Sequence, residues 1–352
     1  MPRRVITHHR NVVFNFLDIS NSSMQTTSKK RVAVIGAGIA GLSCATHLQA
    51  LGFEVDVFEK SRGPSGRMST RQGEGWAADH GAQYFTARDP LFKHELNSWI
   101  ENGIVDRWNP NIGVFEEGRW RESSSNESRY VAIPGMNMIG KNLARSLTLH
   151  LNQTIDQLLP TNVQWQLSSK ESGLLNSVFD FLVLALPAPQ AAALTKALPN
   201  EIQAICNSAH MDGCWTVMAR FSARPTFPFD AAFANGERIS WICRNQSKPF
   251  RAGQESWTIH ASAKWSQENI ELTPEEASIQ LLACAKKLGL DCSEAEIAIH
   301  RWRYASGFVN PSPEFILTPK FNLGVCGDWL NGGRVEGAWL SGHKLAIQIE
   351  KM

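Results

Sequence analysis

Apolar and polar positions follow two different rhythms along this chain. In the first, short apolar runs alternate with helical stripes, as buried strands and crossover helices do. Val32–Ile35 is the first such run. Leu42, Ala45, Leu48 and Leu51 then recur at helical spacing, with Ala40 and Cys44 beside them. Gly52 stands where a helix end takes a positive φ, and Phe53–Phe58 reads as a second strand closed by Glu59. Pro90–Gly103 carries a helical stripe of Leu91, Phe92, His94, Leu96, Trp99 and Ile100. Residues 106–132 read as polar and irregular, pinned by Trp108, Phe115 and Trp120. Pro134-Gly135 predicts a turn before a further helix. Val163–Leu167 alternates like a strand, Asp180–Ala185 reads as a buried strand, and Pro187 and Pro189 stop it before a helix over Gln190–Leu198. From about residue 201 the rhythm becomes period two, in Trp215–Phe221, Ile239–Cys243, Trp257–Ala263 and Ile297–Arg303. One helix, Pro274–Leu288, separates the last two. Leu323–Cys326 is a short strand, and Arg334–Ile349 a helix with Val335, Ala338, Trp339, Gly342 and Leu345 on its packed side.

The first of these units carries candidate chemistry. Gly36, Gly38 and Gly41 stand at G-x-G-x-x-G spacing between strand and helix, and an acidic residue ends the next strand. Gly36 allows a tight exit from the strand, Gly38 lets a pyrophosphate approach bare backbone, and Gly41 lets the helix pack closely. The helix N-terminus then faces the phosphates with unpaired N–H groups and its positive dipole end. Glu59 can accept from both hydroxyls of an adenosine ribose and disfavours a 2′-phosphate, so FAD or NAD is preferred to NADP. Strand, glycine turn, helix and acid together make the signal specific.

Composition adds limits. A chain of 352 residues allows about two domains. A net charge of +2 gives no global reason to expect a nucleic-acid or membrane partner, and no apolar run reaches the roughly 20 residues of a membrane helix. The seven cysteines are odd in number and form no C-x-x-C pair, which suits a reducing, cytoplasmic setting without a disulfide framework or zinc site. Residues 1–30 lack a secretory apolar region and a helical stripe. They are expected to be a disordered tail, with residues 1–23 an artefact of start-site choice as the variant of that reading and a targeting peptide as the alternative.

Several stretches carry a family resemblance. Gly66-Arg67-Met68, preceded by Ser65, resembles the G-G-R loop of the flavin-containing amine oxidase superfamily, and DHGAQYFTARD over residues 79–89 resembles its renalase-like branch. ISWICRNQSKP, HASAKWSQ and CGDWLNGGRVEGAWLSG add to the likeness, which runs from about residue 31 onward. It implies an α/β fold: a discontinuous Rossmann-like FAD-binding domain over 31–85, 150–200 and 315–352, and an α+β substrate domain with a mostly antiparallel sheet over 86–149 and 201–314. Fingerprints of one cofactor near both ends of the sequence favour FAD over NAD as the resident, non-covalent cofactor. The expected cofactor residues are Gly36, Gly38, Ile39, Ala40, Gly41, Glu59 and Lys60; Gly66, Arg67 and Met68, with Arg67 on phosphate oxygens; Gly81, Ala82, Gln83 and Tyr84 near the flavin ring; and Asp328, Arg334, Val335, Glu336 and Ala338, with that helix N-terminus toward the flavin. Cys326 reads as a small buried hydrophobe.

The same resemblance implies a substrate, the 2- and 6-dihydro isomers of β-NAD(P)H, oxidised to NAD(P)+ with molecular oxygen reduced to hydrogen peroxide. No nucleophile–base constellation or metal spacing stands out in the chain. Arg244, Asn245, His260, Trp302 and Tyr304 are the substrate-pocket candidates: Asn245 or His260 for a carboxamide, Trp302 or Tyr304 for stacking. His260 reads equally as a satisfied histidine on a sheet face, the sheet aromatics as core ahead of a ligand box, and Lys264 as a solvated lysine or a charge that assists oxygen. Amine oxidation is the rival activity, though a chain with three tyrosines has little from which to build a facing tyrosine pair. A non-catalytic FAD- or NAD-binding redox sensor is the alternative of another class.

Overall fold

The computed structural model describes residues 29–161, 164–198 and 200–352. Residues 1–28 of the expected tail, and Val163 at the start of one expected strand, lie outside the described residues.

The first sheet has six strands in the order Ile316–Thr318, Leu323–Val325, Phe181–Leu184, Arg31–Ile35, Glu54–Glu59, Thr148–Leu151. All neighbours are parallel except the outer pair Ile316–Thr318 and Leu323–Val325. Val32 lies between Val55 and Phe181, and Val34 between Val57 and Val183. These central strands are apolar throughout because helices cover one face and a three-stranded sheet with two short helices the other. Helices Ile39–Ala50 and Val335–Glu350 pack against each other on the first face. They approach closely enough that a Cβ on Gly342 would lie 2.0 Å from the Ala40 carbonyl oxygen. Ser43 Oγ donates to the Trp339 carbonyl at 2.9 Å across the same contact. Phe92, Leu96 and Trp99 of helix Pro90–Glu101 join this core.

The second sheet has seven strands, in the order Glu296–Phe308, His210–Phe221, Glu255–Ala261, Ile239–Arg244, Ala231–Ala234, Ile112–Glu116, Arg119–Glu122. Only the pair Ala231–Ala234 and Ile112–Glu116 is parallel. One face, with Trp215, Val217, Trp257 and Ile259, is buried under helix Pro274–Lys287. Thr273 and Glu276 cap that helix reciprocally. By alternation, Thr216, Thr258 and His260 belong to the opposite face, which turns toward the first sheet.

The mixed α/β architecture agrees with the sequence expectation, and the local differences have physical reasons. Residues 106–132 are not irregular. Val105–Trp108 pairs with Arg129–Ala132, and Ile112–Glu116 with Arg119–Glu122 in a hairpin that extends the second sheet. The strands are too short to show a period, and their tight turn runs through Glu117 and Gly118, both at positive φ. The strand expected to reach Ala263 ends at Ala261, where Ser262 caps a helix over Ala263–Glu268. The helix expected over Gln190–Leu198 spans Ala188–Leu194, since prolines are tolerated in a first turn.

Candidate active site

A cleft of about 590 Å³ lies beyond the carboxyl ends of the parallel strands, between the two sheets. This is where an open α/β sheet places its ligand crevice. Gly36 leaves the first strand at φ +106°. A Cβ there would meet the Ala185 carbonyl at 2.4 Å, and one on Gly41 would lie 2.0 Å from the Gly36 carbonyl, so neither position admits a side chain. Gly38 differs: a Cβ there would meet nothing within 4 Å, so its bare backbone borders open space.

Two helices begin at this cleft without a side-chain cap, Ile39–Ala50 after Gly38 and Val335–Glu350 after Arg334. Their first N–H groups are orphan donors at positive helix ends. Two such termini with an open backbone cradle fit a dinucleotide cofactor of the FAD type, which presents a pyrophosphate and a second polar ring edge. Gly38, Ile39, Ala40, Arg67, Met68, Gly81, Ala82, Tyr84, Asp328, Arg334, Val335, Glu336 and Ala338 all line the cleft.

Gly36, Gly41, Glu59, Lys60, Gly66 and Gln83 are not part of the lining. Gly36, Gly41 and Gly66 shape the turns beneath it. Glu59 is buried at the strand end, where Oε2 accepts from Ala37 N at 2.9 Å and Oε1 from Ser61 N at 2.8 Å. Lys60 is exposed. Arg67, expected on phosphate, instead grips Asp328 with both terminal nitrogens, Nη1 to Oδ2 at 2.9 Å, and reaches the Ala305 carbonyl at 3.2 Å. The pair joins the loop after the second strand to the Gly327-Asp328 turn. Ser65, where the resemblance has a glycine, holds a positive φ of 104° with its Oγ on the Asn137 carbonyl.

Gln83 does not face the cleft as expected. Its Nε2 donates to the Asp79 and Gly81 carbonyls, and its Oε1 accepts from Lys248 Nζ at 3.2 Å. It belongs to a buried ionic cluster that the sequence did not reveal. Asp79 Oδ2 accepts from Lys248 Nζ at 3.0 Å and Arg251 Nη2 at 2.7 Å, while Oδ1 accepts from Thr70 Oγ1 at 2.7 Å and Met136 N at 3.0 Å. Burial alone would raise the Asp79 pKa, but the two cations and these hydrogen bonds outweigh it and hold the carboxyl well below the usual range.

Asp79 in turn fixes His80, which the second sheet surrounds. The His80 carbonyl accepts from Trp302 Nε1 at 3.0 Å and lies 3.2 Å from His260 Nε2. The His80 ring stacks on Trp302 at 5.1 Å and meets His300 edge-on at 5.0 Å. Burial, then His300, Arg71 and His260, push the His80 pKa down to about 3. Burial likewise pushes His260 down to about 4, against the bond to the His80 carbonyl, and lowers His300 with help from Arg71. All three imidazoles are therefore neutral at pH 7. Asp328 is held by Arg67, Glu336 accepts from the backbone N–H groups of Arg88 and Asp89 at 2.6 and 2.7 Å, and Glu127 pairs with Arg88.

Of the substrate-pocket candidates, His260 and Trp302 line the cleft; Arg244, Asn245 and Tyr304 do not. Arg244 is clamped by Glu255 through two bonds of 2.8 and 3.0 Å. Asn245 is fully buried, accepting from Asp79 N at 3.0 Å and donating to Ser256 O and Thr258 Oγ1. Lys264 lies exposed on the Ala263–Glu268 helix. A smaller chamber of about 290 Å³ sits against the cleft beside His260, between Tyr84, Phe233 and Trp241. Among the described residues no helix is long and apolar enough to cross a membrane.

Two family models match the chain. Residues 34–98 match the NAD(P)-binding Rossmann-like domain, and residues 103–349 match the flavin containing amine oxidoreductases. The chain belongs to the flavin containing amine oxidoreductase family, and its cofactor is FAD. An L-amino-acid oxidase of Crotalus adamanteus is 27% identical over 164 residues, a match that spans 45% of this chain and 31% of that protein. The match thus spans about a third of the length of this and similar L-amino-acid oxidases. The cyclohexylamine oxidase of Brevibacterium oxydans shares the fold with a TM-score of 0.72 at 15% identity, over 92% of this chain and 99% of the other. An oxidoreductase of Methanosarcina mazei does so with a TM-score of 0.68 at 17% identity, over 90% and 99%.

Proposed function

We propose that this flavoprotein is an oxidase of the renalase type, which restores 2- and 6-dihydro isomers of β-NAD(P)H to NAD(P)+ with formation of hydrogen peroxide. The observation that carries the reading is the weak basicity of the two imidazoles on the cleft wall. His80 and His260 on that wall are uncharged at pH 7, and the carboxylates of Asp328, Glu336 and Glu127 are already engaged. Hydride loss from a dihydropyridine makes the pyridinium directly, with no proton to remove from carbon, so the site has no need of a base. FAD, when bound, would supply the two-electron acceptor, with molecular oxygen as the terminal oxidant. The chain would supply position: the N–H groups after Gly38 would hold the pyrophosphate, Glu59 at the strand end the adenosine ribose, and the helix after Arg334 the ring edge. Trp302 offers a flat face for the substrate ring. The seven unpaired cysteines, six of them buried, suit a cytoplasmic setting.

Amine oxidation is the second reading, and the family membership favours it. Only Tyr84 among the three tyrosines lines the cleft, which leaves the facing tyrosine pair unmade. Anaerobic rapid mixing separates the readings. Either dihydro isomer is expected to bleach the flavin absorbance within the dead time or seconds, while benzylamine and putrescine leave it unchanged. Bleaching by the amines alone would establish the amine reading, and bleaching by none of them would point to a non-catalytic module.

A further inference from the structure

The chamber of about 290 Å³ beside the main cleft shares Gly81, Ala82, Tyr84, Ser240 and His260 with it. The register of the second sheet builds one wall. Phe233 pairs with Trp241, and Trp241 with His260, so the three stand in one row across adjacent strands. The Phe233 and Trp241 rings lie 4.6 Å apart, and Tyr84 comes within 5.6 Å of Trp241. The segment Gly81–Tyr84 closes the other side. It is held there, since Ala82 N donates to the Arg67 carbonyl at 2.9 Å and a Cβ on Gly81 would lie 1.9 Å from that oxygen. Small-molecule sites run from about 300 to 1,000 Å³, so a space at the low end with three aromatic walls suits a single flat ring.

His260 is the polar point of this chamber with capacity to spare. Its Nε2 lies 3.2 Å from the His80 carbonyl, which can only accept, so Nε2 carries the ring proton. The ring is neutral at pH 7, and Nδ1 therefore holds a lone pair and no proton. Among the described residues Nδ1 has no hydrogen-bond partner, yet it retains accessible surface, which His80 Nδ1 and Trp241 Nε1 do not. The neighbouring polar side chains are committed: Gln83 to Asp79, Gly81 and Lys248, and Ser240 Oγ to the Ala261 carbonyl at 3.1 Å. Tyr84 adds a hydroxyl, which can donate or accept.

We propose that this chamber is a subsite for a flat ring bearing an N–H donor, a primary carboxamide above all, with His260 Nδ1 as the acceptor. The amide NH2 can donate to Nδ1 while the ring lies among Tyr84, Phe233 and Trp241. A methyl ketone of the same shape offers no donor and leaves the lone pair of Nδ1 facing a methyl group. The dihydronicotinamide ring of the proposed reaction is one member of this class, but the subsite does not rest on that reaction, because a substituted benzene fills the same description.

The test uses the oxidised, FAD-loaded protein at neutral pH. Benzamide and acetophenone, which differ by NH2 against CH3, are titrated separately by calorimetry, with the flavin absorbance followed in parallel. The wild type is expected to prefer benzamide by about three- to tenfold, the range of one neutral hydrogen bond. His260→Phe keeps a flat ring and removes the acceptor, and its Kd ratio is expected to fall to about one. His260→Gln, which offers a carbonyl acceptor, is expected to recover part of the preference. Phe233→Ala opens one wall and is expected to weaken both probes alike. If His260→Phe does not retain FAD, His260→Leu is read in the same way. Equal affinities in the wild type, or a preference that survives in the Phe or Leu variant, would overturn the acceptor role of His260. Neither heat nor spectral change with benzamide, or undiminished binding in Phe233→Ala, would overturn the subsite. The dihydronicotinamide reading is decided separately, by whether the dihydro isomers bleach the flavin.

Discussion

Asp79→Asn keeps the shape of the side chain and removes its charge. The amide oxygen can still accept from Thr70 Oγ1 and Met136 N, but the other branch becomes an NH2 group facing Lys248 Nζ and Arg251 Nη2, donors now at 3.0 and 2.7 Å. The side chains of Lys248 and Arg251 are 0% and 2% exposed, so water cannot take over. Removing one partner of a buried ion pair costs about 3–5 kcal/mol. Two cations share this acid, so the upper end, about 5 kcal/mol, is expected at pH 7. At about 2 °C per kcal/mol for a chain of this size, Tm falls by about 10 °C. The folded Asp79 pKa is depressed, so its contribution is fully present above the unfolded value of about 3.9 and fades as pH falls through the lower folded value. The difference between wild type and variant should therefore be constant from about pH 8 to 5 and shrink below about pH 4. Adding Lys248→Met removes one stranded cation and should recover about 2 kcal/mol relative to additivity. Circular dichroism melts at matched FAD occupancy measure all of this. A Tm change under about 2 °C at pH 7, or a difference that widens in acid, would refute the electrostatic account.

Two further outcomes follow from the cleft. Glu59→Ala removes the acceptor of Ala37 N and Ser61 N together with the proposed charged ribose partner, and is expected to raise the FAD dissociation constant about 10- to 100-fold, from about 1.5–3 kcal/mol, with an unchanged far-ultraviolet spectrum; an unchanged FAD off-rate would make Glu59 a structural strand-end acid only. The rate of flavin reduction by a dihydro isomer should be flat between about pH 6 and 9, because burial has already moved His80 to about 3 and His260 to about 4 and both stay neutral across that window; a rate that falls as pH drops from 8 to 6 in stopped-flow traces would reveal a base of ordinary histidine pKa.

The glycine turn that borders the cleft was legible because its determinants are local. Gly36, Gly38, Gly41 and Glu59 lie within one strand–helix–strand unit, where spacing alone sets the geometry. Asp328 and the Val335 helix form a second local unit. The substrate half depends on partners distant in sequence. Lys248 and Arg251 meet Asp79 across 169 and 172 residues, and no short-range period records such a pairing. Arg244 and Asn245 stood out as polar residues after an alternating strand, but register decides their fate. Glu255 lies within reach of Arg244, and Asn245 turns beneath Asp79. Period two told which residues share a face of the second sheet, not which face the cleft would claim. His80 sat in a quoted motif, and only the contacts of its ring distinguish it from its neighbours.

The close packing of helices Ile39–Ala50 and Val335–Glu350 has a consequence for biosynthesis. The glycine turn before the first helix is translated early, whereas the second helix, which begins at the same cleft, lies about 300 residues later. At about 5–20 residues per second the ribosome needs roughly 15–60 s to cover that distance. Throughout that interval Ala40, Ser43 and Cys44 lack the helix that packs against them. A nascent chain in that state exposes an apolar seam and holds half a cofactor site, so flavin loading is a late event, timed by the arrival of Gly342 opposite Ala40.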